Sequence, residues 1–393
     1  MTNGNGETGK RGNAASISSG DVGVSRFRVS VLPRSRQFDV IIAGASFAGL
    51  AVAQRLEGRR VVLLDRAPVG RGVTSACGAP VSIVNAMGAE GSILQVHDRL
   101  ILHTPAGEAV WPLPEPFCTF DYQRFCELAW ARARVEFLQA TVAGRSGSTV
   151  HTTRGGAFSG TLLADATGWR AALAAAPGSA YVNRRWMAFG IESEVVCPHE
   201  PGLHFYFLPE VRDGYAWAFP AGEGVRFGVL SYLGRSKLGP ALEQFMSRFG
   251  QRPAAVHGGF LASGLRPPVV DGVFIAGDAS GHCLPLTGEG IRTAVLAGFE
   301  CGDLLRQVLD GERTRDQAEA TYQAFVAKSR RKFHALTWAN LAVLALPRRA
   351  VASVATMLAR PRVLRPLLAQ YLNLFERSAT RAGATLPAHS GRL

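Results

Sequence analysis

The chain has 393 residues, 47% of them hydrophobic, with 43 Lys and Arg against 30 Asp and Glu and a formal charge of +13 at pH 7. That is material for roughly two domains and too apolar for a wholly disordered chain. A basic excess invites a nucleic-acid reading, but the charge sits at the ends. Residues 1–37 carry six basic and two acidic residues, residues 328–393 carry twelve basic residues and only Glu376, and the body between them is left at −2. No nucleic-acid partner is expected; a basic end suits phosphate groups or an anionic membrane surface. Lysine occurs only at 10, 237, 328 and 332, which excludes any mechanism needing a lysine between 11 and 236.

Residues 1–37 are rich in Gly, Ser, Asn and Thr and have no secretory h-region. They read as a disordered leader. The six cysteines show no CxxC spacing, so reduced thiols in a cytoplasmic protein are the expectation.

Phe38–Ala43 (FDVIIA) is a continuous apolar run suited to a buried parallel strand. Gly44-Ala45-Ser46-Phe47-Ala48-Gly49 follows, then a helix-spaced LAVAQRL, then a second apolar strand, Val61–Leu64, ending in Asp65-Arg66. This is a βαβ unit of the dinucleotide-binding kind. Gly44 permits the tight turn, Gly49 close helix packing, and the helix start offers free N–H groups to a pyrophosphate. Asp65, 21 residues after Gly44, stands where an acid takes ribose hydroxyls and disfavours a 2′-phosphate. Ser46 replaces the middle glycine of the fingerprint.

Far downstream, the turn Pro267–Gly272 leads into Val273-Phe274-Ile275-Ala276-Gly277-Asp278, a buried strand ending in Gly-Asp. A loop with Pro285, Gly288 and Gly290 then enters a long apolar helix near Ile291. Between the two elements, Tyr215, Trp217 and Phe219 alternate, so on a strand they share one face. Gly222-x-Gly224 reads as a hairpin turn between strands.

The pair GASFAGL…LLDR and GVFIAGDASGHCLPLTGEGI resembles FAD-dependent oxidoreductases of the p-hydroxybenzoate hydroxylase fold, and PLTGEGI looks most like the geranylgeranyl reductase family. Ser75–Pro80 (SACGAP) stands where that family has a Cys-Gly motif, and Gly214–Pro220 resembles its YxWxFP signature. The resemblance covers roughly residues 38–310 and implies an α/β chain: a Rossmann-type FAD-binding domain (38–98, 121–176, 266–330), an inserted β-rich substrate domain (99–120, 177–265) and a C-terminal helical segment (331–393). It implies FAD held by Gly44, Ser46, Phe47, Ala48, Gly49, Asp65, Arg66, Cys77, Gly78, Arg124, Gly277, Asp278, Pro285, Gly288, Gly290 and Ile291. Arg124 is the candidate for a family arginine whose own position holds Tyr122.

The implied reaction is reduction of isoprenoid double bonds in a lipid or quinone by hydride transfer from reduced flavin. An isolated alkene accepts hydride poorly, so a proton source is also needed. Tyr215, Cys77 and His282 are the catalytic candidates. Trp217, Phe219 and Tyr206 are the substrate candidates, and Trp111, Phe205 and Phe207 could extend the aromatic wall. Cys77 and Cys283 are expected as unlinked thiols. No second Rossmann unit appears, so NADPH would bind transiently or reduced ferredoxin would donate electrons.

The alternatives are an FAD-dependent monooxygenase of a hydrophobic or aromatic substrate and, outside enzymes, a membrane-bound flavin carrier. A cyclase using reduced flavin without net redox stays open. Halogenases of this fold group carry a related WxWxIP segment and a functional lysine, and the missing lysines argue against that chemistry. In 333–375, apolar residues alternate with arginine clusters at helix ends, which fits either helices in a membrane interface or a helical cap. The expected location is the cytoplasm, peripheral to the inner face of the membrane.

Overall fold

The computed structural model describes residues 37–72, 75–175, 179–184 and 187–376; the expected leader lies outside them. Strand β1 (Gln37–Ala43) turns through Gly44 into helix α1 (Phe47–Gln54) and returns as β2 (Val61–Asp65), parallel to β1 with Val40 opposite Val61. The two strands are buried along nearly their whole length, which is why their sequences are apolar without alternation. Gly44 has φ +104°, and a Cβ there would lie 2.1 Å from the Ala166 carbonyl oxygen, so only glycine makes this turn.

The chain next forms β3 (Gly78–Pro80) and α2 (Val81–Ala86), then the long hairpin β4 (Ile93–Thr104) and β5 (Gly107–Phe120). Helix α3 (Tyr122–Ala133) is capped by Asp121, whose carboxylate accepts from the Arg124 amide. Strands β6 (Glu136–Gln139), β7 (Val142–Ser146), β8 (Thr149–Thr152) and β9 (Ala157–Asp165) follow. A second run supplies β10 (Met187–Val196), β11 (Leu203–Tyr206), β12 (Gly214–Ala221), β13 (Gly224–Ser231), α4 (Leu238–Ser247) and β14 (Val256–Ala262). The chain then returns through β15 (Val269–Val270), β16 (Val273–Ile275) and α5 (Ile291–Leu309). It ends in α6 (Arg315–Ala345), α7 (Arg348–Leu358) and α8 (Pro361–Leu372).

The strands make two sheets. One runs β15-β16-β9-β1-β2-β6, parallel from β16 to β6, with β7 and β8 attached beside β9. The other runs β14-β10-β13-β12-β11-β4-β5-β3, antiparallel except where β11 lies parallel to β4. Helices α1 and α5 cross closely on the first sheet: a Cβ on Gly298 would meet the Ala48 carbonyl oxygen at 2.6 Å. The architecture is α/β, as the two nucleotide motifs implied.

Strand β4 starts at Ile93, and His97 bonds to Thr119 across the hairpin. Helix α6 runs unbroken through residue 330, since no proline or glycine interrupts Arg315–Leu346. Its start is fixed by a capping box in which Thr314 and Gln317 satisfy each other's backbone amides. Among the described residues no helix is long and apolar enough to cross a membrane.

Candidate active site

A cavity of about 1340 Å³ is lined by both sheets and by α5 to α8. Pockets for one drug-sized ligand run to about 1000 Å³, so this one has room for a cofactor and a substrate together.

It gathers the nucleotide motifs. Gly44, Ser46, Phe47, Ala48, Asp65, Arg66, Cys77, Gly78, Gly277, Asp278, Gly288, Gly290 and Ile291 all line it. Asp65 accepts from the Ala45 amide at 2.8 Å, which fixes the carboxylate at the turn. The opening residues of α1, Phe47 and Ala48, line the same space, and the first amides of a helix have no helical partners. Burial pushes the Asp278 carboxyl up to about 6, so a hydrogen-bond donor arriving there would relieve it. A tight glycine turn, a helix start and one acid at the end of each strand are a donor and acceptor set that fits FAD. Asp65 and Asp278 would take hydroxyls, and α1 the pyrophosphate.

Three expected cofactor contacts do not reach the cavity. Gly49 packs instead: a Cβ there would lie 1.8 Å from the Gly44 carbonyl oxygen. Pro285 is buried behind the loop that presents Leu286 and Thr287. Arg124 is exposed, because the Asp121 cap sets it on the outer side of the first turn of α3. Tyr122 lines the cavity in its stead, and its hydroxyl donates to Ser46 Oγ at 3.0 Å. Ser46 in place of glycine thus acquires a partner.

One face of the second sheet also walls the cavity. Register puts Tyr215, Trp217 and Phe219 on that face with Phe205, opposite Trp217, and all four line the cavity with Trp111. Phe205 meets Tyr215 and Phe219 edge-on at 5.4 and 5.1 Å. Tyr206 is a correction: it sits on the opposite face, opposite Ala216, stacked on His103 at 4.1 Å and packed on Phe245. Strand alternation requires this once Phe205 faces inward. Phe207 is not part of the cavity lining either.

Of the three catalytic candidates, two line the cavity. Tyr215 donates its hydroxyl to the Thr287 carbonyl at 2.6 Å, and burial raises its pKa above the usual phenol range. Cys77 is wholly buried with φ +52°, a left-handed conformation held from both sides. The Arg226 guanidinium donates to the Ala76 carbonyl, and the Phe120 amide donates to the carbonyl of Cys77. Its thiol donates to the Ser75 carbonyl, and burial pushes it up to about 12, so Cys77 is a neutral wall and not a thiolate. His282 is a correction: it lies outside the lining, its ring tilted against Phe375 at 4.7 Å, and burial drives it down to about 3. Cys77 and Cys283 are both free thiols.

The sequence reading missed polar residues that the fold brings in. Glu192 and His257 line the cavity beside Trp217. At the loop before α5, Arg292 forks onto Glu289 at 2.8 and 2.9 Å and donates to the carbonyls of Leu372 and Leu374. Tyr371 closes the ring, donating to Glu289 at 2.6 Å and sharing a 2.8 Å bond with Thr287. The end of α8 is thereby latched to the loop that carries Gly288. Helix α7 rests on the β4–β5 hairpin, where Trp111 Nε1 donates to the Ala355 carbonyl at 3.1 Å. Leu336, Ala339, Val343, Val354, Leu358 and Leu368 add aliphatic surface to the cavity. The C-terminal helices therefore form the cap of the cavity.

No family model matches the chain. Over 140 residues it is 28% identical to the digeranylgeranylglycerophospholipid reductase of Methanococcus vannielii, a match spanning 33% of this chain and 36% of the relative. Among solved structures it is similar to a geranylgeranyl bacteriochlorophyll reductase-like protein from Thermoplasma acidophilum, with TM-score 0.75 and 16% identity over 87% of this chain and all of that one. It is also similar to the p-nitrophenol 4-monooxygenase of Pseudomonas putida, with TM-score 0.70 and 16% identity over 88% and 99% of the two chains. The fold is that of flavin-dependent oxidoreductases, and the resemblance to geranylgeranyl reductases carried by the motifs holds in sequence as well.

Proposed function

We propose that the protein is an FAD-dependent reductase that saturates double bonds of an isoprenoid lipid or quinone. One observation carries the reading: the nucleotide motifs line the same cavity as a set of aromatic and aliphatic side chains. A long hydrocarbon chain would bury its length there at about 25 cal/mol per Å². Reduced FAD, when bound, would supply the hydride, and either NADPH or a reduced ferredoxin would recharge it. Phe205, Tyr215, Trp217 and Phe219 would orient the chain, and the cap would exclude water. The first sheet with α1 and α5 would serve as the cofactor domain, and the second sheet as the substrate domain.

The cap's outer surface supports a peripheral place on an anionic membrane. Trp338, Leu346, Met357, Val363 and Leu367 are exposed there, with Arg349, Arg360, Arg362 and Arg365 on the same helices. Leu346 and Leu367 are exposed and also line the cavity, so the apolar surface continues into the chamber.

The test is anaerobic reduction of the FAD-loaded protein followed by addition of a geranylgeranyl lipid or a polyprenyl quinone. A gain of two hydrogens per bond by mass spectrometry is the expected result. A gain of one oxygen, in air only, would establish the monooxygenase instead, and unchanged lipid with no reductant consumed the flavin carrier.

A further inference from the structure

The cavity wall carries one row of side chains whose composition no apolar binding role requires. Across neighbouring strands, His257 pairs with Glu192, Glu192 with Gly228, Gly228 with Trp217, and Trp217 with Phe205. Directly paired residues share a face, so all point to the chamber. Gly228 leaves the middle of the row empty. The Trp217 indole lies across that gap and donates Nε1–H to Glu192 Oε2 at 2.7 Å. His257 Nε2 stands 3.4 Å from the other carboxyl oxygen, Oε1, and makes no hydrogen bond among the described residues. Glu192 is only 4% exposed, in a row whose other side chains on the cavity are His257, Trp217 and Phe205.

A buried carboxyl is costly without full pairing, and an apolar ligand gives it nothing back. The surrounding charges do not neutralise it directly. From β13, Arg226 is committed to Glu194 at 2.9 Å and to the Phe120 and Ala76 carbonyls. From the loop before β3, Cys77 presents a neutral buried thiol. From β14, His257 is the partner that reaches towards solvent, with its side chain 29% exposed. Glu192 thus has one oxygen fixed by Trp217 and the other presented to the chamber, with a titratable neighbour leading outward.

We propose that Glu192 is the group through which the chamber gives its substrate a proton, with Trp217 fixing the carboxyl and His257 returning the proton from solvent. The proposal rests on the reductase reading and completes its balance. Saturation breaks the π bond of one alkene and forms two C–H bonds. Reduced flavin, when bound, would supply the electron pair as a hydride, and the second hydrogen would come from the carboxylic acid of Glu192. The carboxylate left behind takes a proton from water by way of His257. Trp217 and His257 are positioning residues in this scheme.

The decisive variants are E192Q, E192D and H257Q in the FAD-loaded protein, each first checked for its flavin absorbance and melting temperature. E192Q is expected to lower kcat about 10²–10⁴-fold with KM little changed, E192D to restore part of it, and H257Q to shift the pH profile. A second readout is independent of turnover: the infrared difference spectrum between acid and alkaline protein. It is expected to show a carboxyl band that E192Q removes and W217F shifts, beside the band of Asp278. A wild type that reduces no alkene but keeps this Glu192 band overturns the reductase reading and leaves the proton site standing. Turnover and a pH profile unchanged in E192Q, or an infrared spectrum without a Glu192 band, overturn the proton site alone.

Discussion

A Cβ built on Gly228 would fall 2.0 Å from Cζ2 of Trp217, closer than any side chain could tolerate. The tryptophan of the YxWxFP segment therefore rests on backbone, and it reaches Glu192 only because β13 has no side chain at that point. Gly228→Ala is expected to destabilise the fold by about 1–3 kcal/mol and to displace the indole. The check is a double-mutant cycle of chemical denaturation: the cost should shrink sharply in a Trp217→Ala background, as it does for residues in contact.

The latch between α8 and the flavin-side loop gives a second expectation. Arg292 is buried with Glu289 and supplies the only donors recorded to the carbonyls of Leu372 and Leu374 among the described residues. Arg292→Met leaves Glu289 buried beside an uncharged partner, at a cost of about 3–5 kcal/mol. Limited proteolysis should then cut α8 well before the rest of the chain. Tyr371→Phe removes only a hydrogen bond to a charged group, worth about 1.5–3 kcal/mol, and its melting point should fall less.

His282 predicts acid sensitivity. Burial holds its pKa at about 3, below the ordinary 6.5, and neither ring nitrogen has a partner among the described residues. The folded state therefore binds fewer protons than the unfolded one between those values. Stability is full above about pH 6.5 and falls as the pH drops towards 3, by about 1.4 kcal/mol per pH unit for this group. His97 and His204, each held at about 4 by burial, act in the same direction. His282→Leu should flatten the fall without removing it. Equal melting-point loss in wild type and variant on going from neutral pH to about pH 5 would count against the assignment.

Asp278 predicts the opposite sign. Its pKa, raised to about 6 in the ligand-free fold from an ordinary 3.8, makes the folded state the better proton binder in that window. Stability of the ligand-free protein falls as the pH rises through it, and the penalty persists above about pH 6. Asp278→Asn should relieve that penalty at neutral pH by about 1–3 kcal/mol while weakening FAD binding about tenfold or more. Calorimetric melting of ligand-free protein and flavin titration separate the two effects.

The chain by itself determined the flavin side of this molecule. FDVIIAGASFAGL and VFIAGD name their own structures, because a buried parallel strand, a glycine turn and a helix start are each set by a few contiguous residues. Alternation also put Tyr215, Trp217 and Phe219 on one face. Phase was harder to read: nothing local says whether Phe205 or Tyr206 faces the chamber, and the register of β11 against β12 decides it. The tertiary structure alone placed His282 against Phe375, set Arg124 outside, and joined Glu192 to Trp217 and His257 across three strands. Such contacts depend on sheet order, and strands far apart in the chain leave no spacing to read. The same holds for the basic C-terminus with which the charge count began. Its arginines are visible in the sequence, but the latch from Arg292 to the end of α8 exists only once the loop before α5 and the last helix are folded together.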